Sequence, residues 1–145
     1  MTLISSKILI RVGQHKIHIY SKMSAPDVHF FFTMRDQIKL YHWQTLSFSR
    51  HKATDAVIEK LDGLIDSFAE VYFGSYGRPK LTAKTNTVVI KNLNDKTIVP
   101  FVNSCISYIA GPLSKSLTKK DTDLMNIRDE MLAELHQLLY LFSLD

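Results

Sequence analysis

Two histidines and three carboxylates stand out in the sequence because their side chains bind metal ions of intermediate softness. Imidazole nitrogen and carboxylate oxygen together suit iron, manganese or zinc. Two pairs among these residues are each separated by four positions: His51 with Asp55, and Asp66 with Glu70. On a helix this spacing places both members of a pair on one face, one turn apart. The fifth residue, His42, precedes them in the sequence.

The segment that carries both pairs is predicted to be a helix with separate core and acidic faces. At about 100° per residue, its charged residues and its apolar residues fall on different arcs of the helical wheel. The acidic face contains His51, Asp55, Glu59, Asp62, Asp66 and Glu70, and the core face contains Val57, Leu61, Leu64, Ile65, Phe68 and Tyr72. Like charges one turn apart repel by a few tenths of a kcal/mol (roughly 0.2–0.5). The acidic face is therefore either a solvated surface or a site for cations or a partner.

The two pairs lie too far apart for one ion to bind both within a single chain. Asp66 follows Asp55 by eleven residues, which is about 16 Å along a helix axis. Metal ligands lie only about 2–2.6 Å from their ion. A second, antiparallel copy of the helix, related by a two-fold axis near Lys60 and Leu61, would set each pair against the other pair of its partner. The spacing thus predicts two identical sites per dimer, and Gly63 would allow close approach near the crossing.

His42 joins this set if consecutive helices form an antiparallel hairpin. The first helix is predicted to end near Thr45 and the second to cover about 49–73, with a short break between them. His42 would then lie in the last turn of one helix, close to His51 in the first turn of the next. Trp43 would either shield the site, and donate an electron to reactive oxygen intermediates, or fill the core of the hairpin.

The chain as a whole is predicted to be one mainly α-helical domain over residues 1–145. Apolar residues alternate with polar ones around Gly13, which predicts a β-hairpin within residues 1–22. Four amphipathic helices are predicted over 25–143, and four helices in one small domain argue for a four-helix bundle.

The second half of the bundle follows from two further apolar patterns. A third helix is predicted to start near Thr97, with a kink at Gly111-Pro112, and a fourth to cover about 121–143. Residues 80–94 are polar and irregular, with a short extended stretch. The predicted core residues are Val28, Phe31, Met34, Ile38 and Tyr41 in the first helix, Ile98, Val102, Cys105, Ile109 and Leu113 in the third, and Leu124, Ile127, Met131, Leu135, Leu138 and Phe142 in the fourth.

The composition indicates which partners the protein binds and where in the cell it is located. The net charge is +4, but the lysines are scattered, so nucleic-acid binding is not indicated. No apolar run reaches the roughly 18 residues of a membrane span, and the alternating N-terminus does not look like a secretory signal. The single cysteine, Cys105, fits a reducing compartment. We therefore expect an intracellular protein without membrane contact.

The motif His-Trp followed by His-x3-Asp-x10-Asp-x3-Glu resembles the Dps mini-ferritins of the ferritin-like superfamily. In that family the site lies between two-fold-related subunits and oxidises ferrous iron, and the subunits form a hollow shell. The resemblance implies iron ligation by both histidines and the three carboxylates, within a homodimer or higher homo-oligomer. The matching residues are His42, Trp43, His51, Asp55, Asp66 and Glu70.

A longer resemblance links the chain to ferritin-like proteins of large DNA viruses. It runs through the string IKLYHWQTLSFSRHKATD and the later string DTDLMNIRDEMLAELHQLLYLF. It implies a viral origin, and with it a location in the host cytoplasm or in a virion. The chain departs from the mini-ferritins in two ways: the segment between its histidines is three residues shorter, and a hairpin replaces their basic tail. The Glu-x-x-His motif of larger di-iron bundles is absent.

Two functions are consistent with these residues. The first is a ferritin-like protein that binds iron, or a similar divalent metal such as manganese or zinc, at a dimer interface, with ferroxidase-type activity. The second is a structural or virion-associated bundle that keeps the fold without the chemistry and meets other virion proteins. Besides the five ligands, we single out Glu59, Asp62, Trp43 and Glu130 as secondary candidates for the site.

Overall fold

The structure is a computed structural model that describes residues 7–12, 15–20 and 25–144, with side chains from residue 25 onward. It is mainly helical, as the sequence predicts. The elements are β1 (Lys7–Val12), β2 (His15–Tyr20), α1 (Ala25–Gln44), α2 (Phe48–Tyr76), α3 (Ile98–Tyr108) and α4 (Thr122–Phe142).

The two strands pair antiparallel, with Ile8 opposite Ile19 and Ile10 opposite Ile17. The predicted turn at Gly13-Gln14 lies outside the described residues.

The four helices share one hydrophobic core, built from the stripes that the sequence predicts. Nearly all the predicted core positions of α1, α3 and α4 are buried; Val28 and Ile127 are half-buried at the edge. On α2, Leu64 and Ile65 are also half-buried. The fully enclosed centre includes Tyr41, Phe68, Tyr72, Met34, Leu61, Met131 and Leu135. Among the described residues, no helix is long and apolar enough to cross a membrane.

The ends of α2 differ slightly from the prediction. The helix starts at Phe48, with the Ser47 side chain accepting a hydrogen bond from the Arg50 amide as an N-cap. It runs through Gly74 and stops at Gly77, whose φ of 87° is the left-handed conformation that glycine adopts without strain. The predicted stop at Gly74 is therefore wrong by one turn, because a glycine can stay helical where its neighbours hold the helix.

The predicted kink at Gly111-Pro112 takes the form of a wide π-helical turn, Ile109–Leu113, that directly follows α3. Pro112 lacks the amide hydrogen that an α-helix would use at that position. In the same turn, the Ser114 hydroxyl donates a hydrogen bond to the carbonyl of Ile109, at 2.7 Å. The chain keeps both Ile109 and Leu113 buried through this turn.

One arginine joins three elements at the end of the bundle that holds the histidines. The Arg50 guanidinium donates to the carbonyl of Asp95 at 2.8 Å and to that of Phe142, the last residue of α4, at 3.2 Å. It also lies over the Phe142 ring, 4.6 Å from its centroid. Nearby, the Tyr41 hydroxyl donates to the Asp95 carboxylate at 2.6 Å. These contacts fix the start of α2 against α4 and against the segment before α3.

The irregular segment 80–94 is held against α1 mainly by a buried amide. The Gln37 side chain donates to the carbonyl of Lys91 at 2.7 Å and accepts from its amide at 2.8 Å. This reciprocal pair imitates the hydrogen bonds of a neighbouring strand. His29 adds a contact of 2.8 Å to the carbonyl of Thr87.

Candidate metal centre

A three-residue turn between α1 and α2 brings the two histidines together, as the sequence predicts. His42 lies in the last turn of α1 and His51 in the first turn of α2. Their imidazole rings stack with centroids 4.0 Å apart and an interplanar angle of 17°. His42 is buried, with 5% of its surface exposed, whereas His51 is half-buried.

Each histidine is oriented by the backbone of the other. The Nδ1 atom of His42 lies 3.0 Å from the carbonyl oxygen of His51, and the Nδ1 atom of His51 lies 2.9 Å from that of His42. A carbonyl can only accept a hydrogen bond, so both Nδ1 atoms carry the hydrogen. In the neutral imidazoles the lone pair is then on Nε2. This is the tautomer of a metal ligand whose other nitrogen donates to a carbonyl.

Burial keeps His42 uncharged near neutral pH. The loss of solvent lowers the pKa of His42 below its ordinary value, and the neighbouring His51 lowers it further. The hydrogen bond to the His51 carbonyl and the charge of Asp55 oppose this shift. A neutral imidazole is the form that can donate its Nε2 lone pair to a cation.

Asp55 supplies a carboxylate on the free side of His42. Its Oδ1 lies 3.8 Å from the Nε2 of His42, which is too long for a hydrogen bond. A single ion about 2.0–2.2 Å from each of these atoms could contact both. Asp55 is otherwise exposed. The Nε2 of His42 and the carboxylate of Asp55 could therefore supply two ligands of one coordination sphere.

The remaining predicted ligands lie further along α2 and do not approach the histidines within one chain. Asp66 and Glu70 are exposed on the same helix, about three and four turns beyond Asp55. Over the described part of the chain, no group of three histidine, cysteine or acidic side chains is close enough to hold a metal ion. Within one chain, Asp66 and Glu70 therefore lie apart from His42, His51 and Asp55, and a site shared between two chains stays a prediction.

The secondary candidates are placed differently from one another. Asp62 pairs with Arg35 of α1, whose Nε and Nη2 both donate to its carboxylate. Glu59 is exposed on α2. Glu130 is exposed on α4, where Asn126 donates to it at 3.3 Å.

Trp43 is 68% exposed, and Lys39 lies 5.6 Å from its ring centroid. The alternative that Trp43 fills the core of the hairpin is therefore wrong, because its side chain points away from that core.

Two residues near the site, Thr54 and Arg35, are not among those that the sequence predicts. Thr54 is fully buried, and its hydroxyl lies 3.0 Å from the Nδ1 of His42. Arg35 neutralises one carboxylate of the acidic face from a different helix. The only sequence signal for Thr54 is its position one turn after Arg50, on the arc of the helical wheel that carries the core residues. The Arg35 contact depends on how α1 packs against α2.

A groove of about 450 Å³ runs between α1 and α2 beside this acidic face. Its walls are mostly apolar, and Asp66 lies at its edge. The lining residues are Val28, Phe31, Phe32, Arg35, Asp62, Gly63, Ile65, Asp66, Ala69 and Phe73. A side chain added at Gly63 would meet no atom within 4 Å, so the groove is open at this point.

Comparisons with other proteins match most of the helical region. Residues 42–142 match the profile of a family described as a family of unknown function (DUF5856). The chain is also 33% identical, over 89 residues, to an uncharacterized 14.6 kDa protein in the mobD-ri intergenic region of Enterobacteria phage T4. That alignment covers 52% of this chain and 70% of the phage protein. No solved structure matches the chain.

Proposed function

We propose that this protein, which belongs to the family of unknown function DUF5856, binds a divalent transition metal between two copies of its second helix. Iron is the metal that the ferritin-like resemblance favours, and manganese or zinc would suit the same ligands. In this proposal the fold is a ferritin-like bundle. The relative in phage T4 supports the viral origin that the longer resemblance implies.

One observation carries the proposal: the reciprocal hydrogen bonds of His42 and His51. Each Nδ1 donates to a backbone carbonyl at 2.9–3.0 Å, so both Nε2 lone pairs remain available, and the Nε2 of His42 lies 3.8 Å from the Asp55 carboxylate. Metal-binding histidines are usually fixed in this way through their second nitrogen. The hydrogen bond holds each ring in the tautomer that a metal ligand requires, which lowers the cost of ordering that ligand.

The partner copy would complete the coordination. An antiparallel α2 would bring the partner's Asp66 and Glu70 to His42, His51 and Asp55. Carboxylates would balance the charge of the cation. Ferrous iron bound there would be the substrate of a ferroxidase-type oxidation, in which each Fe²⁺ gives one electron to dissolved dioxygen or peroxide. The role of this chain's own residues is to hold the ion, to keep the His42 imidazole neutral and to present the carboxylates.

A mixed dimer tests the shared site. Homodimers of Asp55→Asn or of Glu70→Gln should lose both sites and therefore most of the metal. In a dimer of one chain of each variant, one interface carries both substitutions and the other carries none. We expect about half of the wild-type metal content to return, measured by elemental analysis after loading with Fe²⁺ or Zn²⁺.

A matched control uses a carboxylate outside the face. Asp129→Asn on α4 removes an exposed charge that pairs with its neighbour Arg128 and should leave the metal content unchanged. Full metal retention by both single variants would reject the site. A mixed dimer that stays empty would show that the ligands are not shared across this axis.

A second candidate function rests on the same histidines. Their reciprocal hydrogen bonds also tie the end of α1 to the start of α2, which a purely structural bundle would need as well. In that case the acidic face would recognise a basic partner in a virion. Purified protein without stoichiometric transition metal, and with no uptake of Fe²⁺ or Zn²⁺, would favour this function.

A further inference from the structure

Two phenylalanines stand at opposite ends of the charged face of α2. Phe48 is the first residue of the helix and is 78% exposed. Phe73 lies near the other end and lines the groove between α1 and α2. At about 100° per residue, both fall on the same arc of the wheel as Asp55 and Asp66. The face that is proposed to meet its own copy therefore has an aromatic residue at each end.

These residues are arranged symmetrically along the helix. Phe48 precedes the midpoint just after Lys60 by as many residues as Phe73 follows it, which is about 19 Å on either side. His51 and Glu70 are equally symmetric about this point. In an antiparallel pair of helices, each Phe48 would therefore lie beside the partner's Phe73, and each His51 beside the partner's Glu70.

The groove has room for an aromatic side chain at that position. It holds about 450 Å³, and its lining includes Phe32, Ala69 and Phe73. Phe32 is 48% exposed, so its ring is also available to an incoming group. Aromatic side chains that fill an apolar pocket of a partner are the usual anchors of an interface.

Charge complementarity favours a second copy as the occupant. Lys52 is exposed on α2, and the same symmetry would place it beside the partner's Ala69, between the partner's Asp66 and Glu70. Its ammonium group would then meet two carboxylates. This attraction offsets part of the repulsion between the two acidic faces, and the apolar contacts of Phe48 would add to it.

We propose that Phe48 of each copy inserts into the groove between α1 and α2 of the other, so that two aromatic contacts close the ends of the dimer. This inference rests on the proposed function, because it uses the same two-fold axis. It adds a residue and a groove that bind no metal. It also explains why the first residue of α2 is a large, exposed aromatic group.

Cysteine cross-linking in the full chain tests the contact. A Phe48→Cys chain mixed with a Phe73→Cys chain should form a disulfide-linked dimer under mild oxidation. Either variant alone should not, because identical positions would be about 38 Å apart and a disulfide needs Cα atoms within about 7 Å. The native Cys105 is buried and should not compete.

Controls and a second measurement complete the test. Tyr140→Cys, at an exposed position on α4, should not cross-link to Phe73→Cys. Phe48→Ser should raise the dimer dissociation constant at least tenfold in sedimentation experiments, while Tyr140→Ser leaves it unchanged. Circular dichroism should show the same helix content in all variants.

The outcomes separate this inference from the metal site. A dimer that takes up Fe²⁺ or Zn²⁺ but forms no cross-link between positions 48 and 73 would overturn the aromatic contact and leave the metal site intact. A cross-linked dimer that takes up neither ion would overturn the proposed function and support the contact. A protein that stays monomeric at tens of micromolar (about 50 µM), with or without these ions, would overturn both.

Discussion

The buried imidazole of His42 couples the stability of the fold to pH. Burial lowers the pKa of His42 in the native protein, with a further contribution from His51. The unfolded chain therefore takes up a proton at a higher pH, near the ordinary histidine value of about 6.5. Asp55 and Lys39 are the other charged groups that act on this imidazole, and Asp55 opposes the shift.

The sign of the effect follows from this difference in proton binding. Between the lowered pKa and about 6.5, the unfolded state binds more protons than the native state, so stability rises with pH. We expect the free energy of unfolding of metal-free protein to be highest above pH 6.5 and to fall as the pH drops below it. Urea denaturation at pH 7.5, 6.5 and 5.5 (roughly one unit either side of the ordinary value) measures this.

Two variants test whether His42 causes this pH dependence of the free energy of unfolding. His42→Gln should flatten the pH dependence, whereas His136→Gln should not, because His136 is exposed on α4. Equal pH dependence in wild type and His42→Gln would show that another group is responsible.

At the scale of single residues, the sequence predicts that His42 and His51 lie close together but not how their rings are oriented. The hairpin of two helices brings His42 near His51, as the spacing implies. The stacking and the tautomers depend on hydrogen bonds from each ring to the carbonyl of the other residue. Such bonds follow from the backbone path of a three-residue turn, which no periodic pattern encodes.

At the scale of the helices, Arg50 is the residue at this end of the bundle whose replacement should lower the free energy of unfolding most. Its charged hydrogen bonds to two carbonyls, of Asp95 and Phe142, satisfy groups that otherwise lack donors from a helix. Arg50→Met keeps the apolar stem and removes these bonds. We expect a loss of about 2 kcal/mol in the free energy of unfolding, because a hydrogen bond to a charged group contributes about 1.5–3 kcal/mol.

Chemical denaturation of Arg50→Met against Arg78→Met checks this expectation. Arg78 is exposed beyond the end of α2, so its replacement should change the free energy of unfolding by less than about 0.5 kcal/mol. A similar effect of both substitutions would contradict the role of Arg50 as a link between elements.

The helices themselves are the most predictable part of the fold. Their apolar stripes follow the helical period, and burial of those stripes fixes which face turns inward. The end of α2 and the path of residues 80–94 were harder to predict. Gly74 stays helical, and the segment near Lys91 is held by Gln37, more than fifty residues away in the sequence. Long-range polar contacts of this kind leave no local pattern.

At the scale of the whole molecule, the N-terminal strands raise the question of what covers them. A two-stranded sheet such as β1 with β2 has two edges with unpaired backbone groups, and it is marginal on its own. We expect it to pack on its own bundle or on a neighbouring subunit. Deletion of residues 1–22 should change the oligomeric state or the solubility while sparing the helix content.

Sedimentation and circular dichroism of the shortened chain test this. An unchanged oligomeric state and solubility would show that the strands form a dispensable arm. A loss of helix content would instead place the strands within the folding unit of the bundle, contrary to the expectation.

The rate at which the buried Cys105 reacts with thiol reagents reports how often the bundle opens around it. Only 2% of its surface is exposed, and burial raises the pKa of its thiol to about 12. Thiol reagents react with the thiolate, so labelling must wait until α3 detaches from the core. The labelling rate of the natural chain therefore measures how often that happens. A cation or a partner that binds only the folded form should slow the reaction by a factor of 1 + L/Kd, where L is its free concentration and Kd its dissociation constant.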